Sequence, residues 1–289
     1  MPHAPIALFC FNRPEHLAKT LDSLSQAHGL RQSVIHAFCD GPRNEADQAG
    51  VAAVRALLRQ RSATLPMVLH EKQANLGLQQ SIVQGVTELV ETQGRAIVLE
   101  DDILVSPHFL SFMNDALDRY ADEPKVMHIA AYFPPTPVEG LPQCFFYRPA
   151  SCWGWATWAE SWRHLQLDAA SLLSRLEGEA GHAFNLEGAY GFLNHLKLNL
   201  QGRINTWAIF WYASVYLRGG LCLHPARSLA WNIGHDGSGE NCKGTSVFDV
   251  ELAQEPVTSF PEELRECPEA LARARAFFLA HTSVSRQEA

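Results

Sequence analysis

The amino-acid sequence predicts an α/β fold built around a mostly parallel sheet. In its first half, short apolar runs alternate with longer amphipathic segments, and turn-forming residues separate them. The 289 residues are 47% hydrophobic and 19% charged, which is a globular composition. The formal charge of −8 argues against a nucleic-acid-binding protein that neutralises phosphates with a basic face.

Five apolar runs predict five strands in the first half, at residues 5–11, 34–39, 67–69, 96–99 and 126–131. The segments between them carry apolar residues at helical spacing, as Leu17, Leu21 and Leu24 do after the first strand. After the fourth strand, Ser106-Pro107 is typical of a helix N-cap followed by proline at the first helical position.

The second half differs from the first in its aromatic content. All seven tryptophans lie there, at Trp153, Trp155, Trp158, Trp162, Trp207, Trp211 and Trp231. The spacing of Trp155, Trp158 and Trp162 predicts a helix on which the last two pack against the core. Further helices are predicted near 193–200, 207–217 and 270–281. The proline-rich segment 134–142 divides residues 1–133 from 144–289, which we expect to be two halves of a single domain.

The sequence also bears on the compartment. No run approaches the roughly 20 apolar residues that span a bilayer, and the first residues lack a signal-peptide pattern. We therefore expect a cytoplasmic protein without a transmembrane segment, and peripheral membrane contact stays open. The seven cysteines form no Cys-x-x-Cys pair, which favours reduced thiols over disulfides or a zinc site.

Polar residues follow four of the predicted strands where each strand ends. They are Asn12 with Arg13, then Asp40, then Asn75 with Gly77, and finally Glu100, Asp101 and Asp102. Ligands of open α/β sheets bind at the carboxyl ends of the strands. Three adjacent carboxylates repel one another, and oxygen ligands suit Mg²⁺ or Mn²⁺, which bridge to phosphate oxygens. The alternative is a solvated acidic turn that interacts with the dipole of the following helix.

Two of these residues allow two interpretations each. Asp40 precedes Gly-Pro, so it either forms a turn or accepts hydrogen bonds from a base N–H or a ribose hydroxyl. Arg13 either pairs with a diphosphate or stacks on a base, or it is a surface arginine at the start of a helix.

Several segments, in chain order, carry a resemblance to a known family. They are 11–13, 38–41, 98–109, 146–148, Gly154-Trp155 with Trp162, and 224–225. Together they resemble a GT-A nucleotide-sugar glycosyltransferase, more narrowly the N-acetylglucosaminyltransferase I family and its bacterial relatives. The resemblance extends from Pro5 to about Cys242. It implies a Rossmann-like, mostly parallel central sheet with helices on both faces, a nucleotide-sugar-binding half at 1–133 and an acceptor-binding half at 144–289.

The same resemblance implies an activity. It implies an inverting, metal-dependent hexosyl- or N-acetylhexosaminyltransferase of polysaccharide biosynthesis, which moves a sugar from a UDP-sugar to a hydroxyl of a glycan or glycoconjugate acceptor. Asp102 would be the Mn²⁺ or Mg²⁺ ligand, as the aspartate of a DXD motif is. Glu100 and Asp101 would face the ribose and the donor sugar, and Asp40 with Arg13 would hold the uracil. The metal would stabilise the departing UDP.

The sequence departs from the family pattern at the catalytic base. Related families place an Asp beside or just after a Trp in the segment equivalent to 205–211, where no carboxylate occurs here. Asp236 and Glu240, in a glycine-rich loop, are the nearest candidates for a base that deprotonates the acceptor. His235 is a further candidate, as a base or as a second metal ligand. A simple Asp-Gly turn with a solvated histidine is the alternative.

Three residues at the start of the aromatic cluster are candidates for sugar contact. The flat faces of Trp153 and Trp155, on either side of Gly154, match the C–H face of a pyranose, and core packing is the alternative. A nucleotidyltransferase would need a glycine-rich basic loop after the first strand, and residues 11–15 do not form one. A non-catalytic module that binds a nucleotide sugar or a glycan remains the second interpretation.

Overall fold

An eight-stranded sheet forms the centre of the protein in a computed structural model that describes residues 3–238 and 244–285. Ten strands are described: β1 (Ile6–Cys10), β2 (Ile35–Cys39), β3 (Met67–Glu71), β4 (Arg95–Glu100), β5 (Ile103–Val105), β6 (Val126–Ala130), β7 (Cys144–Tyr147), β8 (Trp155–Trp158), β9 (Leu221–Pro225) and β10 (Ala230–Asn232). The order in the large sheet is β3-β2-β1-β4-β8-β6-β9-β7, and β10 pairs with β5 in a separate ribbon.

The helices connect these strands and cover the sheet. They are α1 (Pro14–Ser25), α2 (Glu45–Arg61), α3 (Leu78–Gln93), α4 (Phe109–Arg119), α5 (Ala159–Trp162), α6 (Ala169–Arg175), α7 (Glu179–Phe184), α8 (Phe192–Leu200), α9 (Ala208–Leu217) and α10 (Pro268–Ser285). None of the helices within the described ranges is long and apolar enough to cross a membrane.

Strand pairing confirms the predicted fold class. β1 pairs in parallel with β2 and β4, β2 with β3, and β6 with β9, whereas β8 and β7 run antiparallel to their neighbours. Successive side chains of a strand point to opposite faces of the sheet. Ile6 and Leu8 accordingly join one hydrophobic core with α1, α2 and α4, and Ala7 and Phe9 join a second core with α3 and α9. Helices therefore cover both faces.

The structure corrects two local predictions. Trp155 and Trp158 lie on the strand β8, and the helix α5 begins only at Ala159, so the helical spacing of the tryptophans was misleading. Helix α4 begins at Phe109 rather than at Pro107. Ser106 does accept a hydrogen bond from the His108 amide, but its hydroxyl also donates to the carbonyl of Ala253, 147 residues away.

One sheet runs through both predicted halves of the chain. Strand β8, from the second half, lies between β4 and β6 of the first half. Helix α10 returns to this sheet, and its Ala270 and Ala274 pack in a third core with Phe145 and Tyr147 of β7. The second half therefore completes the sheet on which the strand-end residues of the first half are placed.

Candidate functional site

The predicted strand-end residues meet at one edge of the sheet. In the parallel register Cys10 faces Cys39, and Phe9 faces Glu100, so β1, β2 and β4 end side by side. The residues that follow these strands are therefore neighbours in space although they are distant in sequence.

Arg13 forms an ion pair with two of the three adjacent carboxylates. Its Nη2 lies 2.5 Å from Oδ1 of Asp101 and 2.7 Å from Oδ2 of Asp102. Both aspartates are buried, and the Arg13 side chain is about one-fifth exposed. Asp101 also accepts a hydrogen bond from the Phe11 amide, at 3.3 Å. The interpretation of Arg13 as a surface arginine is wrong, because this guanidinium is the counter-ion of a buried acidic pair.

Burial and mutual repulsion perturb these carboxyl groups. Burial, followed by the charges of Asp102 and Asp101, raises the pKa of Glu100 to about 8. Burial also raises the pKa of Asp101 to about 6, against the opposing charge of Arg13. The cluster therefore does not hold three negative charges at neutral pH unless a further cation joins Arg13.

Asp102 carries a buried oxygen without a hydrogen-bond partner among the residues that the structure describes. This atom is Oδ1, whereas Oδ2 faces Arg13. The loop after β10 packs against the same residue: Ile233 donates its amide to the Asp102 carbonyl, and a Cβ on Gly234 would lie 2.2 Å from Oδ2. Glycine at position 234 therefore lets the loop approach Asp102 closely.

The donor set fits a cation that is shared with a ligand. Mg²⁺ is commonly bound by one or two carboxylates together with substrate phosphates. In the described ranges, no three His, Cys, Asp or Glu side chains are grouped so that they could hold a metal ion by themselves. Asp102, whose Oδ1 has no partner in ranges 3–238 and 244–285, fits a metal ion that takes its remaining ligands from a bound molecule.

His235 lies among aromatic rings. Its ring centroid is 5.0 Å from that of Trp153 and 5.5 Å from that of Phe248, and its Nδ1 is buried without a described partner. These contacts place His235 beside Trp153, which is one of the predicted sugar-contact residues. Its role as a metal ligand stays a prediction.

Asp40, Asn75 and Gly77 lie close together, but the Asp40 carboxylate is already hydrogen-bonded to other groups of the chain. Asp40 is buried and accepts hydrogen bonds from the amides of Gly41, Leu76 and Gly77, each at 2.9 Å in its shorter contact. The Asn75 side-chain amide donates to the same carboxylate, at 3.0 Å. Asp40 thus fixes the loop that leads into α3, as the turn interpretation expects, and its direct contact with a uracil stays a prediction.

Asn12 is held by a residue that the sequence analysis missed. Its Nδ2 donates to Oδ1 of Asp47 at 2.8 Å, and Arg43 donates to the same carboxylate from Nε and Nη2. The Arg43 guanidinium also lies over the Phe11 ring, 4.9 Å from its centroid. Asp47 is one of two acidic residues in the first turn of α2, a feature that is also common in helices without any site.

Asp236 pairs with a second residue that the sequence analysis missed. His16 Nε2 lies 3.0 Å from Oδ2 of Asp236, and the Ser238 amide and hydroxyl donate to Oδ1. The hydrogen bonds from Ser238 are the main cause that lowers the pKa of Asp236 to about 2. His16 follows Arg13 by one helical turn, so this pair attaches the glycine-rich loop to α1. Glu240 lies outside the described residues.

A carboxylate does lie beside Trp207, although segment 205–211 contains none. A hydrogen bond with Trp207 stabilises the charged form of Glu100, which comes from β4. Neither residue type nor spacing in the sequence indicates this contact, because the two positions are 107 residues apart. The carboxylate beside this tryptophan therefore comes from another part of the chain.

The three predicted sugar-contact residues have different environments. Trp155 is 1% exposed and packs against Trp162, Trp207 and Trp211 in the second core, which corrects its assignment as a sugar contact. Gly154 is buried with φ at +70°. Trp153 is half-buried. Of the two tryptophans, only Trp153 is not fully buried, and its contact with a sugar stays a prediction.

Comparison with known proteins gives fold-level similarity. No family model and no curated protein matches the sequence. The mannosyltransferase PcManGT from Pyrobaculum calidifontis, with GDP-Man and Mn²⁺, is 11% identical and matches 74% of this chain and 70% of its own, with a TM-score of 0.39. GalNAc-T7, with UDP, GalNAc and Mn²⁺, is 8% identical and matches 80% of this chain and 43% of its own, with a TM-score of 0.49. The galactosyltransferase LgtC, with donor and acceptor sugar analogues, is 13% identical and matches 75% of this chain and 72% of its own, with a TM-score of 0.38. The chain spans less than half the length of GalNAc-T7.

Proposed function

We propose that this protein is a metal-dependent GT-A glycosyltransferase that transfers a sugar, with inversion, from a UDP-sugar to a hydroxyl group of a glycan or glycoconjugate. The observation that carries the proposal is the buried Asp102, one of whose oxygens has no partner among the described residues, at the carboxyl edge of the sheet. A structural carboxylate at this depth would have its oxygens satisfied by the chain. A carboxylate with one free oxygen is arranged to receive a cation.

In this proposal, different residues of the site have different roles in binding. Asp102 would hold Mg²⁺ or Mn²⁺, and a bound cation would neutralise charge on the departing diphosphate. Asp101 keeps Arg13 in place beside Asp102, and Asp40 holds the loop 75–77 at the start of α3. Trp153 offers an apolar ring to a sugar near His235.

The proton of the acceptor hydroxyl needs an acceptor on the chain. Asp236 is the proposed base, and its Oδ2 faces His16 at 3.0 Å. In this arrangement Oδ2 takes the proton while Oδ1 stays hydrogen-bonded to Ser238.

The test is release of UDP from a panel of UDP-sugars, with acceptor, in Mn²⁺ or in EDTA. We expect Mn²⁺-dependent release by the natural protein and a loss of at least about 100-fold in Asp102→Ala. Asp122→Ala, an exposed aspartate in the turn after α4, is the matched control and should keep full activity. Equal release with and without metal, or from Asp102→Ala, would contradict the mechanism.

A non-catalytic binding module is the second candidate. Segment 205–211 carries no carboxylate, which favours this class, and the hydrogen bonds from Ser238 lower the pKa of Asp236, the proposed base. Saturable binding of UDP without turnover of any UDP-sugar would assign the chain to this class.

A further inference from the structure

Two cysteines lie opposite each other on neighbouring strands. Cys10 is the last residue of β1 and Cys39 is the last residue of β2, and the parallel register pairs them. Both are free thiols that belong to the first hydrophobic core, with α1 and α2. Neighbouring strands lie about 4.8 Å apart, and the Cα atoms of a disulfide lie roughly 4.4–6.8 Å apart. A disulfide between these two residues therefore needs no change in the strand pairing.

The two sulfur atoms are not equivalent. A hydrogen bond between the thiols is the main cause that raises the pKa of Cys10 and lowers the pKa of Cys39. Arg55, from α2, also stabilises the charged form of Cys39, through a hydrogen bond and through its charge, against the effect of burial. When the pair loses a proton, the thiolate therefore forms on Cys39, and Cys10 donates to it.

Arg55 has hydrogen-bonding capacity to spare beside this thiol. Its Nε is buried without a hydrogen-bond partner in the described part of the chain, and Oε2 of Glu71 lies 3.9 Å from it. Its Nη2 donates to the Lys72 carbonyl at 2.5 Å. Buried N–H groups in folded proteins nearly always have an acceptor. A thiolate on Cys39 would supply both an acceptor and a counter-charge.

Three other buried cysteines contrast with this pair. Burial is the main cause that raises the pKa of Cys144 to about 12, and it raises the pKa of Cys152 and of Cys222 well above the usual range. The thiolate, not the thiol, is the nucleophile that attacks an oxidant. Because Cys10 and Cys39 are themselves buried, that oxidant has to be small.

We propose that Cys10 and Cys39 form a redox-active dithiol that hydrogen peroxide converts to a disulfide. The Cys39 thiolate attacks one peroxide oxygen, the O–O bond breaks, and Cys39 becomes a sulfenic acid as hydroxide leaves. The sulfur of Cys10 then attacks the sulfur of Cys39, and the hydroxyl group leaves with the Cys10 proton as water. The hydroxide takes up the proton that Cys39 had lost. Two thiols are thus oxidised, and one peroxide is reduced to two waters.

The experiment is peptide mass spectrometry of the natural chain before and after exposure to hydrogen peroxide. Trypsin gives peptides 1–19 and 32–43, each with one cysteine, so a disulfide between these two peptides identifies the pair. Thiols that stay reduced are alkylated after unfolding. We expect the disulfide between 1–19 and 32–43 to be the main product, and dithiothreitol to reverse it.

Two serine variants test which sulfur reacts first. Cys10→Ser removes the second thiol, so Cys39 should stop at the sulfenic acid, which dimedone labels. Cys39→Ser removes the thiolate, so peptide 1–19 should take no dimedone label and stay reduced.

A pair of arginine variants tests the contribution of Arg55. Arg55→Gln removes the cation beside Cys39 and should slow disulfide formation by about tenfold, because the thiolate fraction falls. Arg59→Gln is the matched control, since Arg59 pairs with the same Glu71, at 2.6 Å. It should form the disulfide at the natural rate.

The natural chain decides the proposal, even if a variant folds poorly. Peptides 1–19 and 32–43 that stay reduced at a peroxide concentration that oxidises the partly exposed Cys267 would overturn it. So would disulfides spread equally over all the cysteines, which would indicate oxidation of unfolded chains. A natural rate in Arg55→Gln would contradict activation of Cys39 by Arg55.

Discussion

Asp40 and Asp102 are both buried aspartates just beyond parallel strands, yet the chain treats them differently. Amides of the loop before α3 donate to both oxygens of Asp40, whereas Asp102 keeps Oδ1 without a described partner. Burial alone therefore does not distinguish a binding residue from a structural one at this edge. A buried polar atom to which the chain supplies no hydrogen bond is the better indicator of a binding residue.

The largest effect on stability should come from removing the carboxylate of Asp40, whose two oxygens both accept hydrogen bonds. Asp40→Ala leaves the partly buried amides of Leu76 and Gly77 without their acceptor. We expect it to lower the free energy of unfolding by about 4 kcal/mol, because each such amide costs about 1–3 kcal/mol. Urea unfolding followed by circular dichroism measures this loss.

Asp102→Asn is the matched comparison for stability. It removes a charge from a crowded acidic cluster and breaks one contact with Arg13, so its free energy of unfolding should stay within about 1 kcal/mol of the natural value. Equal losses in Asp40→Ala and Asp102→Asn would erase the distinction between the two aspartates.

Much of this fold follows from local sequence. Apolar runs marked the first strands of the sheet to within two residues at each end, because a buried parallel strand is apolar on both faces. Strand β8 was missed because its tryptophans repeat at a spacing that also suits a helix. Its place between β4 and β6 depends on partners far along the chain, which no local pattern encodes.

The site follows from the sequence only in part. The acidic residues after β4 and the carboxylate of Asp40 could be located, because strand ends identify them. Their partners could not be identified: Arg13 is 89 residues from Asp102, and His16 is 220 residues from Asp236. Such pairs form only when the sheet brings the strand ends together.

His128, in the second core, resembles Asp40 because all its polar side-chain atoms have hydrogen-bond partners. Its Nε2 donates to the Ser151 carbonyl at 2.9 Å, and its Nδ1 accepts from the Trp211 indole at 3.0 Å. A second proton on Nδ1 would point at the indole N–H. Burial is the main cause that lowers the pKa of His128 to about 3.

The sign of the resulting pH dependence follows from the lowered pKa. The unfolded chain takes up this proton near pH 6.5, well above the folded pKa of about 3. Stability is therefore complete above pH 6.5 and falls as the pH drops toward 3, by about 3 kcal/mol between pH 6.5 and 4. Urea unfolding across this range measures the slope. His128→Gln should reduce the slope without removing it, because burial also lowers the pKa of His224, to about 4. The exposed His182→Gln should leave the slope unchanged.

Asp236 differs from both Asp40 and Asp102, because its oxygens have hydrogen-bond partners but its side chain is exposed. If it is the base, Asp236→Asn should slow transfer by about 100-fold and leave the affinity for UDP unchanged. Steady-state kinetics and calorimetry measure the two quantities. Unchanged transfer would exclude Asp236 and direct the search to Glu100, the carboxylate beside Trp207.

The smallest expected effect tests whether the position of Asp102, and not merely its charge, matters. A Cβ on Gly234 would lie 2.2 Å from Oδ2 and 2.9 Å from Cγ of Asp102, so Gly234→Ala must displace that carboxylate from Arg13. The backbone at this position is outside the left-handed region, so the alanine acts through contact alone.

We expect Gly234→Ala to weaken Mn²⁺-dependent binding of UDP by about tenfold, as changes around a metal ligand commonly do. Gly244→Ala is the control, because a Cβ there would approach no described atom closer than 3.8 Å. Calorimetry in Mn²⁺ compares the two variants. Natural affinity in Gly234→Ala would mean that the ligand does not depend on where Asp102 lies, and the unpartnered oxygen would then no longer distinguish Asp102 from Asp40.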